Sequence, residues 1–152
     1  MTTVVRSHQV LVHAPLQKAF DYVSDLTRHP EWSGGELKIE ALTPGPIAVG
    51  KEYRSRGEVA IQKDRPNTVQ VAAYEPPRKF AFIANDPDFG KVTHVFTFEG
   101  QNGGVLIKRS MTVNLNPIVA LAFRFFIYPM IGKPSMNKSM AGLKTKLEET
   151  SK

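Results

Sequence analysis

Residues 116–149 read NPIVALAFRFFIYPMIGKPSMNKSMAGLKTKLEE, and the fold turns on this stretch. Pro117 stands where a helix would begin, with Asn116 before it. Proline at the first helical position gives up an N–H that has no partner there anyway, and an Asn side chain accepts from the next orphan N–H groups. Between Ile118 and Ile131 the only charged residue is Arg124. A helix that is apolar all round is either enclosed by protein or touches lipid. After Gly132-Lys133-Pro134 the character changes. Met136, Met140, Leu143 and Leu147 recur at spacings of four, three and four, with Lys138, Lys144, Lys146 and Glu148 between them. That spacing marks a one-sided amphipathic helix. The reading is one long C-terminal helix, kinked or broken between Pro129 and Pro134, with its first half deeply enclosed.

The chain upstream supplies the enclosure. Val4–Val12 is β-rich. Pro15 opens a short helix with Leu16, Ala19, Phe20 and Val23 on one face, and residues 27–32 make a second helical turn stopped by Ser33-Gly34-Gly35. Strands follow at 37–41, 51–62, 69–73, 79–84, 91–99 and 105–113, punctuated by Thr43-Pro44-Gly45-Pro46, Pro76-Pro77, residues 85–90 and residues 100–104. The alternation in 51–62 is the clearest: Glu52, Arg54, Arg56 and Glu58 form a wet face, while Tyr53, Ser55, Gly57, Val59 and Ile61 form an inner one. Short turns between successive strands imply an antiparallel meander. The fold class is therefore α+β: about six or seven strands, two short helices after the first, and a long helix at the end.

The 152 residues fit one domain, 1–152. Without cysteine there is neither a disulfide nor a thiolate metal site, which fits a reducing compartment. No signal-peptide pattern opens the chain, and its longest apolar run, about 14 residues, falls short of the ~20 a spanning helix needs. A cytoplasmic protein is expected. The formal charge is +6 and the pI about 9.7. Lys and Arg are spread over the whole length without a basic block or stacking motif, so nucleic acid is not expected as a partner. Peripheral contact with anionic lipid stays open, because an apolar helix and basic residues lie together at the C-terminus. The protein is expected as a monomer or homodimer.

Residues 10–15 (Val-Leu-Val-His-Ala-Pro) running into 19–25 (Ala-Phe-Asp-Tyr-Val-Ser-Asp), then 28–33 (Arg-His-Pro-Glu-Trp-Ser), Gly45-Pro46, residues 49–53 (Val-Gly-Lys-Glu-Tyr) and Gly103-Gly104-Val105 carry a resemblance over nearly the whole chain. The sequence resembles the SRPBCC, or START-like, superfamily with the helix-grip fold of birch-pollen-allergen proteins. Within it, the chain looks like the polyketide cyclase/dehydrase branch of small bacterial proteins. The resemblance implies a curved antiparallel sheet gripping the long helix, with an apolar cavity between them for a lipid, quinone, sterol or polyketide. A minority of such proteins catalyse. Pro129, Gly132 and Pro134 depart from the gripping helix of that family.

Chemistry-bearing residues are few. There is no Cys, no G-x-S-x-G elbow and no phosphate-binding glycine loop. His8, His13, His29 and His94 show no metal-ligand spacing, so no metal and no nucleotide cofactor are expected. His94 shares a strand face with Phe96 and Phe98. It either looks into the cavity as an acid, base or ligand-orienting group, or it hydrogen-bonds at the sheet surface. Arg109 shares a face with Val105, Ile107, Met111 and Val113. It either meets a carboxylate or anionic ligand group inside, or snorkels out at a strand end. Arg124 either pairs with a carboxylate or lipid head group or reaches solvent, and Trp32 packs its turn on the sheet rim. The cavity lining is expected from Tyr53, Ser55, Gly57, Val59, Phe82, His94, Phe96, Phe98, Arg109, Met111, Phe123, Ile127 and Met130, with Phe126 counted as core. The leading functional reading is carriage of a hydrophobic small molecule. One alternative is a cyclase or dehydratase acting through His94, Arg109 and Tyr53. A second is a module docking on a membrane or complex through 118–131.

Overall fold

Period-two alternation turns one row of each strand inward, and the ladders join those rows into a single concave face. The computed structural model describes residues 1–33, 37–59, 62–86 and 90–150. Its strands are β1 (Thr2–Val12), β2 (Leu37–Ala41), β3 (Glu52–Val59), β4 (Gln62–Glu75), β5 (Lys79–Asp86), β6 (Gly90–Gln101) and β7 (Gly104–Leu115). They form one antiparallel sheet in the order β1-β7-β6-β5-β4-β3-β2. The first two strands are thus its opposite edges. Helix α1 (Leu16–Ser24) and a 3₁₀ turn (Leu26–Glu31) carry the chain from one edge to the other across the concave face. Register shifts at Gly57/Val59 and Val71/Ala73 interrupt the ladders, and such bulges bend and twist a sheet.

The expected strand 51–62 meets the start of a second strand instead. It ends at Val59 and the next begins at Gln62, while Ile61 lies outside the described residues. Its alternation stands: Tyr53, Ser55 and Gly57 are buried, whereas Glu52, Arg54 and Arg56 are exposed.

The C-terminal helix is continuous. Asn116 Oδ1 accepts from Ile118 N–H at 2.9 Å and Val119 N–H at 3.0 Å, capping α2 (Pro117–Ala122). A π-helical segment, Phe123–Gly132, leads directly into α3 (Lys133–Thr150). The Lys133 N–H reaches the Tyr128 carbonyl five residues back. Pro129 has no N–H, and its ring would meet the carbonyl four residues back in an α-turn. The wider turn accommodates both, so the expected irregularity at Pro129 takes the form of a π segment and the helix runs on without a break.

The inner face carries two cores. The larger joins Phe20 and Val23 of α1, Leu26 and Trp32, Tyr53, Val71, Phe80, Phe96 and Ile107 of the sheet, and Met140, Leu143 and Leu147 of α3. The smaller joins Val4, Val113 and Leu115 to Ala120, Phe123 and Tyr128. The first half of the helix is not deeply enclosed. Only Ala120, Phe123 and Tyr128 are buried on the β1–β7 edge, with Ile127 partly so. Phe126 is 64% exposed and Met130 73%, so neither is core. The sheet reaches only one side of this segment, and nothing else among the described residues covers the other.

Candidate functional site

Arg109 is the centre of a cluster formed where β6, β7, the 3₁₀ turn and α3 meet. Alternation on β7 turns it inward beside Ile107, and the ladder sets it opposite Phe96 on one side and His8 on the other. Its Nη2 donates to His94 Nδ1 at 3.3 Å, and its Nη1 donates to Ser139 Oγ at 3.4 Å. The guanidinium carbon lies 5.2 Å from the Phe96 ring centre and 5.8 Å from that of Trp32. Its Nε is shut off from solvent without a hydrogen-bond partner, although the residue as a whole is half-buried. Among the described residues no carboxylate pairs with it. Burial lowers its pKa to about 10, so it keeps its charge at neutral pH. The aromatic faces offset part of the desolvation of the cation.

A guanidinium has no acceptor, so His94 Nδ1 must accept the bond. That places the proton of a neutral ring on Nε2. Burial, then Arg109, then His29 hold the His94 pKa well below the ordinary histidine value. The ring stacks on Phe82 at 4.8 Å between centroids, 20° from parallel. His29 sits behind it. Its Nε2 donates to the Val23 carbonyl at 2.9 Å and its ring lies 4.5 Å from that of Trp32. Burial pushes its pKa to about 3. One cation is therefore flanked by two neutral histidines.

Among the described residues, three further enclosed polar atoms find no partner: Trp32 Nε1, Ser33 Oγ and Asn67 Oδ1. Trp32 and Ser33 follow the 3₁₀ turn directly, and Asn67 lies opposite Ser55 on the inner face. Leaving such a group unsatisfied costs about 1–3 kcal/mol. The cluster around Arg109 thus holds a positive charge and two unpartnered N–H donors, Arg109 Nε and the nearby Trp32 Nε1, whereas Asn67 Oδ1 is an acceptor three strands away. The cluster is suited to receive an oxygen that carries negative charge or strong partial charge.

Comparison with known proteins places the chain in a family. The family model described as "Polyketide cyclase / dehydrase and lipid transport" matches residues 1–148. The chain belongs to that family. No curated protein matches this polyketide cyclase/dehydrase family chain in sequence. Among solved structures it is similar to TTHA0849 from Thermus thermophilus, with a TM-score of 0.77 and 16% identity, covering 98% of this chain and 100% of that one. It is also similar to the di-domain ARO/CYC BexL, with a TM-score of 0.74 and 15% identity, covering 96% of this chain and 50% of that one. Ara h 8.0201 is similar with a TM-score of 0.65 and 14% identity, covering 96% and 98%. These likenesses show the helix-grip fold.

Within this family member the expected lining does not form one surface. His94, Phe82, Phe96 and Arg109 come together as described. Phe98 is turned against Phe20 of α1, with ring centres 5.2 Å apart. Tyr53, Ser55 and Gly57 are buried on the same concave face, but Tyr53 lies three strands from His94, about 14 Å along a sheet with ~4.8 Å strand spacing. Tyr53 therefore does not join His94 and Arg109 in one triad. Met111, Phe123 and Ile127 belong to the smaller core under the π segment. Met130 points away from the interior, and the side chain of Val59 lies outside the described residues. Arg124 is exposed and donates to the Thr3 carbonyl at 3.3 Å.

Sequence reasoning for this family member missed Ser139, Trp32 beside the guanidinium, and His29 as a buried neutral ring. Ser139 had a usable signal. It stands three residues after Met136 and beside Met140, on the stripe that the Met–Leu spacing marks as buried. A surface groove of about 510 Å³ opens between α1 and the end of α3, lined by Pro15, Gln17, Lys18, Asp21, Tyr22, Arg28 and Leu147. None of the residues around Arg109 lines it.

Proposed function

We propose that the protein binds a hydrophobic small molecule bearing an anionic or strongly polarised oxygen, of lipid, quinone or polyketide-like class, between the sheet and the C-terminal helix. Arg109 receives that oxygen, and Phe82, Phe96 and Trp32 flank the apolar body. The observation that carries the reading is a half-buried, charged guanidinium that meets no carboxylate among the described residues and lies against the Phe96 and Trp32 rings. A protein core alone gives no reason to hold such a charge. The family description, which names both polyketide cyclases and lipid transport, supports the ligand class.

Binding of 1-anilinonaphthalene-8-sulfonate compared with its uncharged parent, N-phenyl-1-naphthylamine, tests this. Wild type is expected to favour the sulfonate by about tenfold or more, the usual worth of a hydrogen bond to a charged group. Arg109→Met is expected to abolish the preference while still binding the uncharged probe. Equal preference in both proteins would refute the role of Arg109. Native mass spectrometry with organic extraction of the purified protein would name the ligand class.

The contact between Arg109 and His94 favours a second reading as a cyclase or dehydratase. Proton transfer through His94 is poorly matched to neutral pH, since its ring stays neutral and its Nδ1 lone pair is engaged. Catalysis at this site would rest on stabilising an enolate oxygen through Arg109. Incubation with a linear poly-β-ketone thioester separates the readings. A ring product that disappears in Arg109→Met marks an enzyme, and saturable binding without product marks a carrier.

A further inference from the structure

The π segment and α2 present a second apolar face that the sheet does not use. Ile118 is 80% exposed, Phe125 and Phe126 are each 64% exposed and Met130 is 73% exposed, with Leu121 and Val119 beside them. These positions recur at helical spacing. They form one stripe opposite Ala120, Phe123 and Tyr128, which pack on Val4, Val113 and Leu115. A stripe of contiguous exposed aromatic and aliphatic side chains marks a contact surface. The charge along this part of the chain is one-signed. From residue 100 to residue 147 the chain contains seven Lys and Arg and no Asp or Glu. Of these, Arg124, Lys133 and Lys138 are exposed on or just beyond the striped segment.

We infer that this face docks on an anionic lipid bilayer, with Phe125, Phe126, Ile118 and Met130 entering the interfacial region and Arg124, Lys133 and Lys138 meeting the headgroups. No helix among the described residues is long and apolar enough to cross a membrane, so docking is peripheral. The combination of an apolar stripe with a basic rim is what holds a helix in a bilayer interface. A second copy of the chain fits this face less well, because a two-fold contact would bring the same basic rim against itself. The surface also adjoins the Arg109 cluster. Tyr128, on the buried side of the π segment, hydrogen-bonds His8 Nε2, and His8 is the cross-strand neighbour of Arg109. Docking would therefore put the site beside a source of hydrophobic ligands, although the membrane contact stands without any bound ligand.

The test is co-sedimentation of the full chain with phosphatidylcholine vesicles prepared with and without phosphatidylglycerol. Wild type is expected to bind the anionic vesicles, to bind the neutral ones much less, and to lose binding as salt rises. Each of Lys133→Gln and Lys138→Gln is expected to weaken binding about fivefold. The double variant Phe125→Ser/Phe126→Ser is expected to lose binding by tenfold or more, while keeping wild-type circular dichroism and affinity for N-phenyl-1-naphthylamine. Failure of folded wild type to bind anionic vesicles would overturn the inference. So would binding that ignores lipid charge or survives the double variant. A wild-type dimer dissolved by the double variant in light scattering, without vesicle binding, would assign the face to self-association and also overturn it.

Discussion

Arg109 Nη2 lies 3.3 Å from the Nδ1 of His94, so an enclosed cation donates to a histidine that must stay neutral to accept. Each residue holds the other in its state: the guanidinium opposes protonation of the ring, and the ring supplies an acceptor where no carboxylate among the described residues does. Among the described residues nothing supplies this cation with a countercharge.

Replacing Arg109 by Met should therefore leave stability unchanged or raise it by about 1–3 kcal/mol, since an apolar side chain of similar volume removes a buried unpaired charge. Urea denaturation of both proteins checks this. A loss above about 1 kcal/mol would instead make Arg109 a structural tie between β7, His94 and Ser139.

Acid should destabilise the fold through the histidines. The His29 pKa is held at about 3 in the folded chain, mainly by burial, against about 6.5 unfolded. Between those values the unfolded state binds the extra proton. Stability is thus fully present above about pH 6.5 and falls as pH drops toward 3, by up to about 1.4 kcal/mol per unit for one such residue. His94 acts in the same direction. Glu31 and Glu148, whose pKa values are lowered, lose their contribution only at the acid end. Denaturation midpoints across this range should show a flatter slope in His29→Gln than in wild type; an identical slope would mean that His29 is not held neutral.

Gly142 should resist enlargement. A Cβ there would lie 2.7 Å from the Trp32 carbonyl oxygen, which packs directly on α3. Alanine normally improves a helix interior by about 1 kcal/mol. Here Gly142→Ala is expected to cost about 1–3 kcal/mol and to weaken probe binding, because it pushes Trp32 off the helix. A stabilised variant in chemical denaturation would contradict the close approach.

Removing the Tyr128 hydroxyl should loosen the π segment. It bonds His8, whose other ring nitrogen meets Asn137 Oδ1 at 3.0 Å. Tyr128→Phe is expected to cost about 0.5–1.5 kcal/mol. Faster amide exchange in residues 123–132 than in α3 would locate the effect, whereas uniform protection would show that the bond does not anchor the segment.

Much of the fold was legible in local pattern. Asn116-Pro117 announced a capped helix, the Met136–Leu147 spacing announced its buried stripe, and the alternation of Tyr53, Ser55 and Gly57 with charged residues assigned the inner face of β3. These features follow from backbone periodicity and terminal hydrogen-bond needs, which act over a few residues. The apolar run 118–131 was misleading for the same reason. Hydrophobicity states that a face prefers to leave water, but not whether protein is there to receive it.

Residue order alone was enough for the element types, the antiparallel meander, the placement of Arg109 on an otherwise apolar strand row, and the basic character of the C-terminal third. The folded chain was needed to learn that His94, rather than a carboxylate, stands beside Arg109, and that Trp32 and Ser139 close around it. It was needed equally to learn that Tyr53 stays three strands away and that Phe125, Phe126 and Met130 face outward. Those outcomes depend on ladder register, sheet curvature and the packing of α3 against Trp32 at Gly142. Each couples residues far apart in the chain, where no local spacing carries the information.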